Sequence, residues 1–463
     1  MANRAKATLL SPVLAMLLLW CGSPAAVAAK PAKRGHVAPP PELALAPALT
    51  SGPGVPVGIP PVGLSIEYPV MAAALGTGGC PPPALVAELQ RLGSPPLQLA
   101  GQSQDFTVPA GSAPAAPQSF EEQTAYPLGG EFWTRLHCLL SATREPLTVG
   151  LNARTGQRGW AEQMVAGASA AAMAGLAFSL GNEPDLYYLP DYYALDKPQP
   201  GEEALVVNTY LRTAAVLRAA IGSSPLVGPE LSGASRWRAS MPRVLSTLGV
   251  GTFGVHLYPL SVCRTPRAAT IGGLLAQSVG NAPSRLSWVV ADARAAGAQA
   301  IITEANSVSC GGKVGVSDSP ASAVWAVRFV LSALRTGFGE VRFHFSGNPY
   351  DPFYVRGSEV LRRPLESAMV ALNQWLPPGS TFRAVPGLHG LTGTAIAAPG
   401  AQPLVLLDNG SAKASTLVLR GALALNAQSF SANGARPTLR PLKGPGHRVQ
   451  AAIPANTVLA LGF

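Results

Sequence analysis

The chain has 463 residues, 48% hydrophobic and 13% charged, enough for one large domain with a sizeable core plus a smaller one. Its 49 glycines and 45 prolines are scattered among apolar runs, which excludes wholesale disorder and reads as many turns. The net charge of +10 tolerates acidic partners, but without a dense Lys/Arg block interleaved with aromatics it argues against nucleic acid.

Residues 1–29 read as an export signal. Arg4 and Lys6 precede the short apolar stretch "LLSPVLAMLLLW", and "AAVAAK" supplies small residues for cleavage near Ala28 or Ala29. Cys21 follows Trp20, a poor fit to lipoprotein processing. No later run is long and charge-free enough to predict a bilayer span. A secreted or periplasmic chain would carry Cys80, Cys138, Cys263 and Cys310 where disulfides persist. Their spacing is no zinc pattern, and neither a metal nor an organic cofactor is implied.

Residues 30–60 are Pro-rich and expected to be extended, with residues 42 to 58 adding a strand to a C-terminal β-domain. The apolar runs "VGLSIEY", "PLQLAG", "PLTVGLN", "LAFSLGN", "PLVGPEL", "TFGVHLYP", "AQAIITE" and "EVRFHFS" then alternate with helical patterns such as "EEALVVNTYLRTAAVLRAAI". Eight such runs predict a closed (β/α)8 TIM barrel over residues 61–376, an α/β fold. A doubly wound open sheet is the alternative, but no phosphate-binding glycine fingerprint follows the first run. Residues 377–463 carry short β-rich runs between Gly, Asn and Pro turns and predict a β-sandwich.

Catalytic residues of such barrels sit at the C-terminal strand ends. That rule selects Glu67 on the first strand, Gln104 and Asp105 beyond the second, and Asn152 on the third. It adds Asn182 and Glu183 on the fourth, His256 and Tyr258 on the sixth, Glu304 on the seventh and His344 on the eighth. Pro184 predicts that Glu183 is its strand's last extended residue. A lone strand-end Glu is ordinarily a loop salt-bridge partner. Two of them on strands that face each other across the mouth suit glycoside hydrolysis, with one carboxyl protonated as acid and the other ionised. The Gly-x-Ser-x-Gly elbow of serine hydrolases and the P-loop are both absent.

The segments "SLGNEPD", "VHLYPLSVC", "IITEANSVSCGGKVGVSDSPASAVWAV" and "VRFHFSGNPYDPFY" resemble glycoside hydrolase family 79, the family of heparanase and bacterial β-glucuronidases. "VGLSIEYP" resembles its first barrel strand and "LVLLDNGS" its C-terminal β-domain, so the likeness runs from about residue 60 onward. It implies a retaining β-glycosidase with Glu183 as acid/base and Glu304 as nucleophile. Asn182 would bond the sugar hydroxyl beside the reacting carbon, and Tyr258 would orient Glu304. One departure concerns the second strand. Gln98 stands where the family carries a supporting Arg and Ala100 where it carries Gly, so Glu304 is expected to be held less firmly.

The expected substrate is a glycan or glycoside, acidic in character. In the loop "SCGGKVG", Gly311 and Gly312 would offer backbone N–H groups to a uronate as an anion nest. Lys313 would add charge and Tyr350 a hydroxyl. His256 reads equally as a substrate contact or a core residue, and His344, between two phenylalanines, is expected to be structural. Tyr187, Tyr188, Tyr192 and Tyr193 would stack on sugar or pack their loop. Cys263 and Cys310, just past strands six and seven, are expected to pair, and Cys80 with Cys138 as well. Two rival readings remain: a neutral-sugar glycosidase of the same clan, and a carbohydrate-binding protein whose catalysis the Gln98 change has ended.

Overall fold

Eight parallel strands close on themselves: β1 (Val62–Glu67), β2 (Leu97–Ala100), β3 (Leu147–Leu151), β4 (Leu176–Leu180), β5 (Leu226–Leu231), β6 (Thr252–Leu257), β7 (Gln299–Ala305) and β8 (Val341–Phe345). They neighbour one another in chain order, and β8 pairs with β1 to complete the ring. The structure is a computed structural model. It describes residues 40–44, 52–112, 126–187, 203–233, 235–357, 359–386, 388, 390–421, 426–443 and 447–462. The expected signal segment and Cys21 lie outside these residues, as do Tyr188, Tyr192 and Tyr193.

Each of the eight apolar runs becomes one barrel strand, because helices cover the outside and side chains fill the inside. The covering is thorough around Pro320–Thr336. This helix is buried nearly all round, pressed between the barrel and the C-terminal β-strands. Helix Glu203–Ile221 is, among the described residues, the one helix long and apolar enough to cross a membrane. The structure uses it as a barrel helix instead. Val207, Tyr210, Ala214, Leu217 and Ile221 are buried, and the Tyr210 hydroxyl donates to the Leu180 carbonyl at 3.0 Å.

The C-terminal part is a β-sandwich. A six-stranded sheet centres on Thr392–Ala397, Leu404–Asn409 and Thr457–Gly462, and a four-stranded sheet on Ser415–Arg420 and Arg448–Ile453. The segment before the barrel adds a short strand to each: Val55–Pro56 pairs with Thr381–Val385, and Glu42–Ala44 pairs with Ser415–Arg420. The sandwich has its own apolar interior, including Leu43, Val405, Leu417, Leu419, Ala451, Ile453 and Leu461. Its barrel-facing side chains Phe382, Ile396, Leu406 and Val458 join the main core.

Barrel register decides which side chains meet. His344 lies level with Ser65, and Ser65 with Gln98. Between β6 and β7 the pairing steps from Val255 with Ile302 to His256 with Glu304, so β7 carries an extra residue, Thr303. A bulge of this kind re-aims the side chains that follow it. Here it sets Glu304 beside His256 at the rim.

Candidate active site

Glu183 is not an extended residue. Strand β4 ends at Leu180, and Glu183 has φ 44° and ψ 54°, in the left-handed region. Tertiary ties override the local preference set by Pro184. Asp105 accepts from the Asn182 N–H at 3.1 Å and the Tyr187 hydroxyl at 3.0 Å, while Asp185 accepts from the N–H and hydroxyl of Ser232. These anchors wrap the Pro184–Leu186 turn tightly against β5. A non-glycine residue in this region is strained by about 1–2 kcal/mol, and such strain gathers at functional positions.

His256 joins the two carboxylates. Its Nδ1 lies 3.0 Å from Glu183 Oε1 and 3.7 Å from Glu304 Oε2. The two oxygens are therefore no further apart than those distances laid end to end. Their side chains are 13% and 11% exposed, against 1% for His256, so an imidazole floor carries two carboxyl groups that open to the mouth. The Tyr258 hydroxyl donates to Glu304 Oε1 at 2.8 Å. His344 Nδ1 lies 3.4 Å from Glu304 Oε2, and its Nε2 lies 3.4 Å from Glu67 Oε1. His344 thus belongs to the site, where the sequence suggested a structural role.

Burial alone would strip the proton from His256. The charges of Glu304, Glu183 and Glu230 outweigh it and push the imidazole up to about 10. His344 is raised in the same way, against burial, by Glu304 and Glu67. Burial and the neighbouring Glu304 charge raise the Tyr258 hydroxyl well above its ordinary value, so it remains a donor. Glu304 is thus ringed by two imidazoles of raised proton affinity and a phenol.

Several expected substrate contacts turn out to be positioning groups. Glu67 accepts from the Gln102 N–H at 3.0 Å and the Ser103 N–H at 2.7 Å. Burial would raise its carboxyl, but His344 and Ser103 hold it below the usual range. Gly101 (φ 75°) makes this possible, since a Cβ there would come within 2.5 Å of Glu67 and 2.7 Å of His344. Asp105 is buried and accepts from Ala153, Asn182 and Tyr187. Gln104 is buried against Gly150 on β3, below the rim. Tyr187 is buried with its hydroxyl on Asp105, which leaves no sugar-stacking face there.

Gln98 corrects a second expectation. It bonds Glu230 and Arg342, not Glu304: its Nε2 donates to Glu230 Oε1 at 2.5 Å, and its Oε1 accepts from Arg342 Nη1 at 2.5 Å. Support for Glu304 comes from Tyr258 and the two histidines. Glu230 and Arg342 were not picked out from the sequence, although a signal existed. In "EVRFHFS" the two-residue period puts Arg342 on the same inward face as His344.

The rim loop after β7 is tied on three sides. A disulfide joins Cys263 to Cys310, and Leu260–Ser261 pairs with Val308–Ser309 beside it. A second disulfide joins Cys80 to Cys138. Asn306 donates to the carbonyls of His344 and Tyr350 at 3.0 and 3.2 Å. Cys310, Gly311 and Gly312 have φ of 61°, 83° and 76° in succession, without the alternation of hand expected of a simple nest. A Cβ on Gly312 would come within 2.9 Å of the Tyr350 ring. That ring lies 6.2 Å from Tyr258 and 6.1 Å from His344, which brings the loop next to the surroundings of Glu304. The Tyr350 hydroxyl bonds Ser346 at 2.6 Å. Lys313 does not reach into the mouth, because its ammonium donates to the Ala269 carbonyl at 2.7 Å.

No family model and no curated protein matches the chain. Solved structures do. A 4-O-α-L-rhamnosyl-β-D-glucuronidase from Fusarium oxysporum 12S is 18% identical with a TM-score of 0.66, over 89% of this chain and 98% of that one. A family 51 α-L-arabinofuranosidase from Bifidobacterium longum is 14% identical with a TM-score of 0.63, over 91% and 99%. The catalytic domain of a family 30 xylanase from Talaromyces cellulolyticus is 13% identical with a TM-score of 0.53, over 88% and 98%. At these identities the likeness is one of fold, a barrel with its β-domain, spanning nearly the whole of each neighbour.

Proposed function

We propose that this protein is an exported retaining glycosidase that hydrolyses β-glucuronides or uronate-containing glycans. Glu304 attacks the anomeric carbon while Glu183 gives its proton to the departing oxygen. Glu183 then takes a proton from water, which releases the sugar from Glu304. The observation that carries this reading is the single imidazole nitrogen shared by Glu183 and Glu304. Its two distances, 3.0 and 3.7 Å, cap the separation of those oxygens below most of the inverting range of about 6.5–9.5 Å and are compatible with the roughly 5–5.5 Å of retaining pairs. The structural neighbours support it, being glycosidases of the same architecture.

Further roles follow from place. Asn182, one residue before the acid, is assigned to the sugar hydroxyl beside the reacting carbon. Gly311, Gly312 and Tyr350 are assigned to the substrate carboxylate, because they stand next to the surroundings of the nucleophile. Two disulfides and the N-terminal signal pattern support a location outside the cytoplasm.

Aryl β-glycosides test this directly. Two or three charge-assisted hydrogen bonds of about 1.5–3 kcal/mol each predict a preference of at least roughly a hundredfold for the β-glucuronide over the β-glucoside. A second reading, a neutral-sugar glycosidase of the same fold, gains from the engagement of Lys313 by Ala269. Equal rates, or a faster glucoside or arabinofuranoside, would establish it instead. A mechanism-based fluorosugar is expected to label Glu304, and labelling of Glu183 would exchange the two roles.

A further inference from the structure

Beneath the two rim carboxylates runs a line of buried polar side chains. Arg342 gives its Nε to Glu340 at 2.9 Å and its Nη1 to Gln98 at 2.5 Å and to Thr148 at 3.1 Å. Gln98 passes an amide N–H to Glu230 at 2.5 Å. Glu230 Oε2 lies 4.0 Å from His256 Nε2, on the far side of the ring from Glu183 and Glu304. Gln98 has no choice of orientation here: only its oxygen can face a guanidinium, and only its NH2 a carboxylate.

The placement of charge along this line is specific. The Arg342 charge is met directly by Glu340, and Gln98 stands between Arg342 and Glu230 and bonds both, so Arg342 acts on Glu230 only from across the amide. The nearest cation left to Glu230 is His256. The charged groups that face His256 are Glu230 from β5, Glu183 from the loop after β4 and Glu304 from β7, with Arg342 of β8 one amide removed.

We propose that Glu230, aimed by Gln98, is a positioning residue that keeps His256 an imidazolium through both halves of the reaction. The inference rests on the roles assigned above to Glu183 and Glu304. Before attack Glu304 is ionised and Glu183 protonated; in the glycosyl intermediate Glu304 is an ester and Glu183 is ionised. One negative charge therefore moves from one side of His256 Nδ1 to the other, and neither rim carboxylate is a permanent counter-ion. Glu230 takes no part in the chemistry, so its place beside Nε2 is the same in both halves; burial pushes its carboxyl up to about 7, against which His256, Arg342 and the Gln98 amide favour the ionised form. A charged His256 keeps Nδ1–H directed at Glu183 Oε1, which leaves Oε2 as the oxygen that carries the acid proton.

The test replaces Glu230 by Gln, which keeps the shape and removes the charge. Imidazole 15N shifts are followed against pH in the full-length protein, with His256 assigned by its own substitution. Loss of the His256 proton is expected at least about one pH unit lower, a tenfold change in proton affinity. Kcat on an aryl glycoside should fall on the order of tenfold with KM nearly unchanged, and its alkaline limb should move down with the imidazole. A His256 titration unchanged by Glu230→Gln overturns the proposal, as does a change confined to KM. Should that variant fail to fold, Gln98→Met removes both amide bonds at near-constant volume and should shift His256 in the same direction. If neither protein cleaves any glycoside the assigned function falls, and the imidazole titration still decides the charge on His256 by itself.

Discussion

The barrel axis and the sandwich interior are both buried, and they are built on opposite plans. The sandwich interior is apolar, and its buried Asn409 is fully employed. Its amide donates to the carbonyls of Lys413, Ile453 and Pro454 at 2.8, 3.0 and 2.9 Å, and its oxygen accepts from Ser411. The barrel axis instead holds Gln98, Glu230, His256, Glu304, Arg342 and His344, with the Ser65 and Thr303 hydroxyls lacking a protein partner. Burying ionised groups costs free energy even when they are paired. The difference teaches where stability and chemistry are kept. Charge runs along the barrel axis from the mouth inward, and apolar packing in the sandwich and around helix Pro320–Thr336 offsets its cost.

Substitutions that separate activity from stability are the sharpest way to break this contrast. The largest effect is expected for Glu304→Gln, which removes the oxygen anion proposed to attack and should lower kcat by roughly 10⁴-fold or more. Glu183→Ala should retain more activity on aryl glycosides with good leaving groups, which need less proton donation. Calorimetry should find both variants folded. A Glu304→Gln enzyme of ordinary rate would remove the mouth from the chemical side of the comparison.

The sandwich should respond in the opposite sense. Leu417→Ala hollows its fully buried core and should cost about 2–5 kcal/mol of stability, read as a lowered denaturation midpoint. Kcat measured well below the transition should not move. A matching loss of kcat would mean that the sandwich shapes the site. Tyr258→Phe then probes the mouth more gently. It removes one hydrogen bond to an ionised acceptor, worth about 1.5–3 kcal/mol, so kcat should fall on the order of 10- to 100-fold with little change in melting temperature.

The same contrast explains what the sequence could and could not disclose. The eight barrel strands were legible because strands covered on both faces read as nearly continuous apolar runs. Glu304 and Tyr258 were legible because strand ends on a barrel converge on one mouth. Glu183 was singled out, but its backbone was not foreseen, since ties from Asp105 and Asp185 override the preference set by Pro184. Gln98 was read against the family's Arg as a loss of support for Glu304. The β6–β7 bulge, the register of β8 and the contacts of Arg342 are matters of tertiary structure, and together they give Gln98 other partners. Asp105, Gln104 and Glu67 were chosen as polar residues at or just past the strand ends. Their side chains face inward to backbone donors or neighbouring strands, and position along a strand does not reveal that.

The smallest effect expected concerns a carboxylate buried away from the mouth. Glu145 stands just before β3, at the opposite end of the barrel from the site, and is fully buried. One oxygen accepts from the Thr143 hydroxyl and the other has no hydrogen-bond partner. Burial, opposed by that hydroxyl, pushes its carboxyl up to about 7. An unfolded glutamate titrates near about 4.3. Between these values the folded state holds the proton more tightly than the unfolded state, so stability declines as pH rises through that window. Glu145→Gln removes the titration. Its melting temperature should match the wild type near pH 5 and exceed it increasingly up to pH 8, with kcat unchanged. A stability difference that did not grow with pH would mean that this carboxylate is solvated after all.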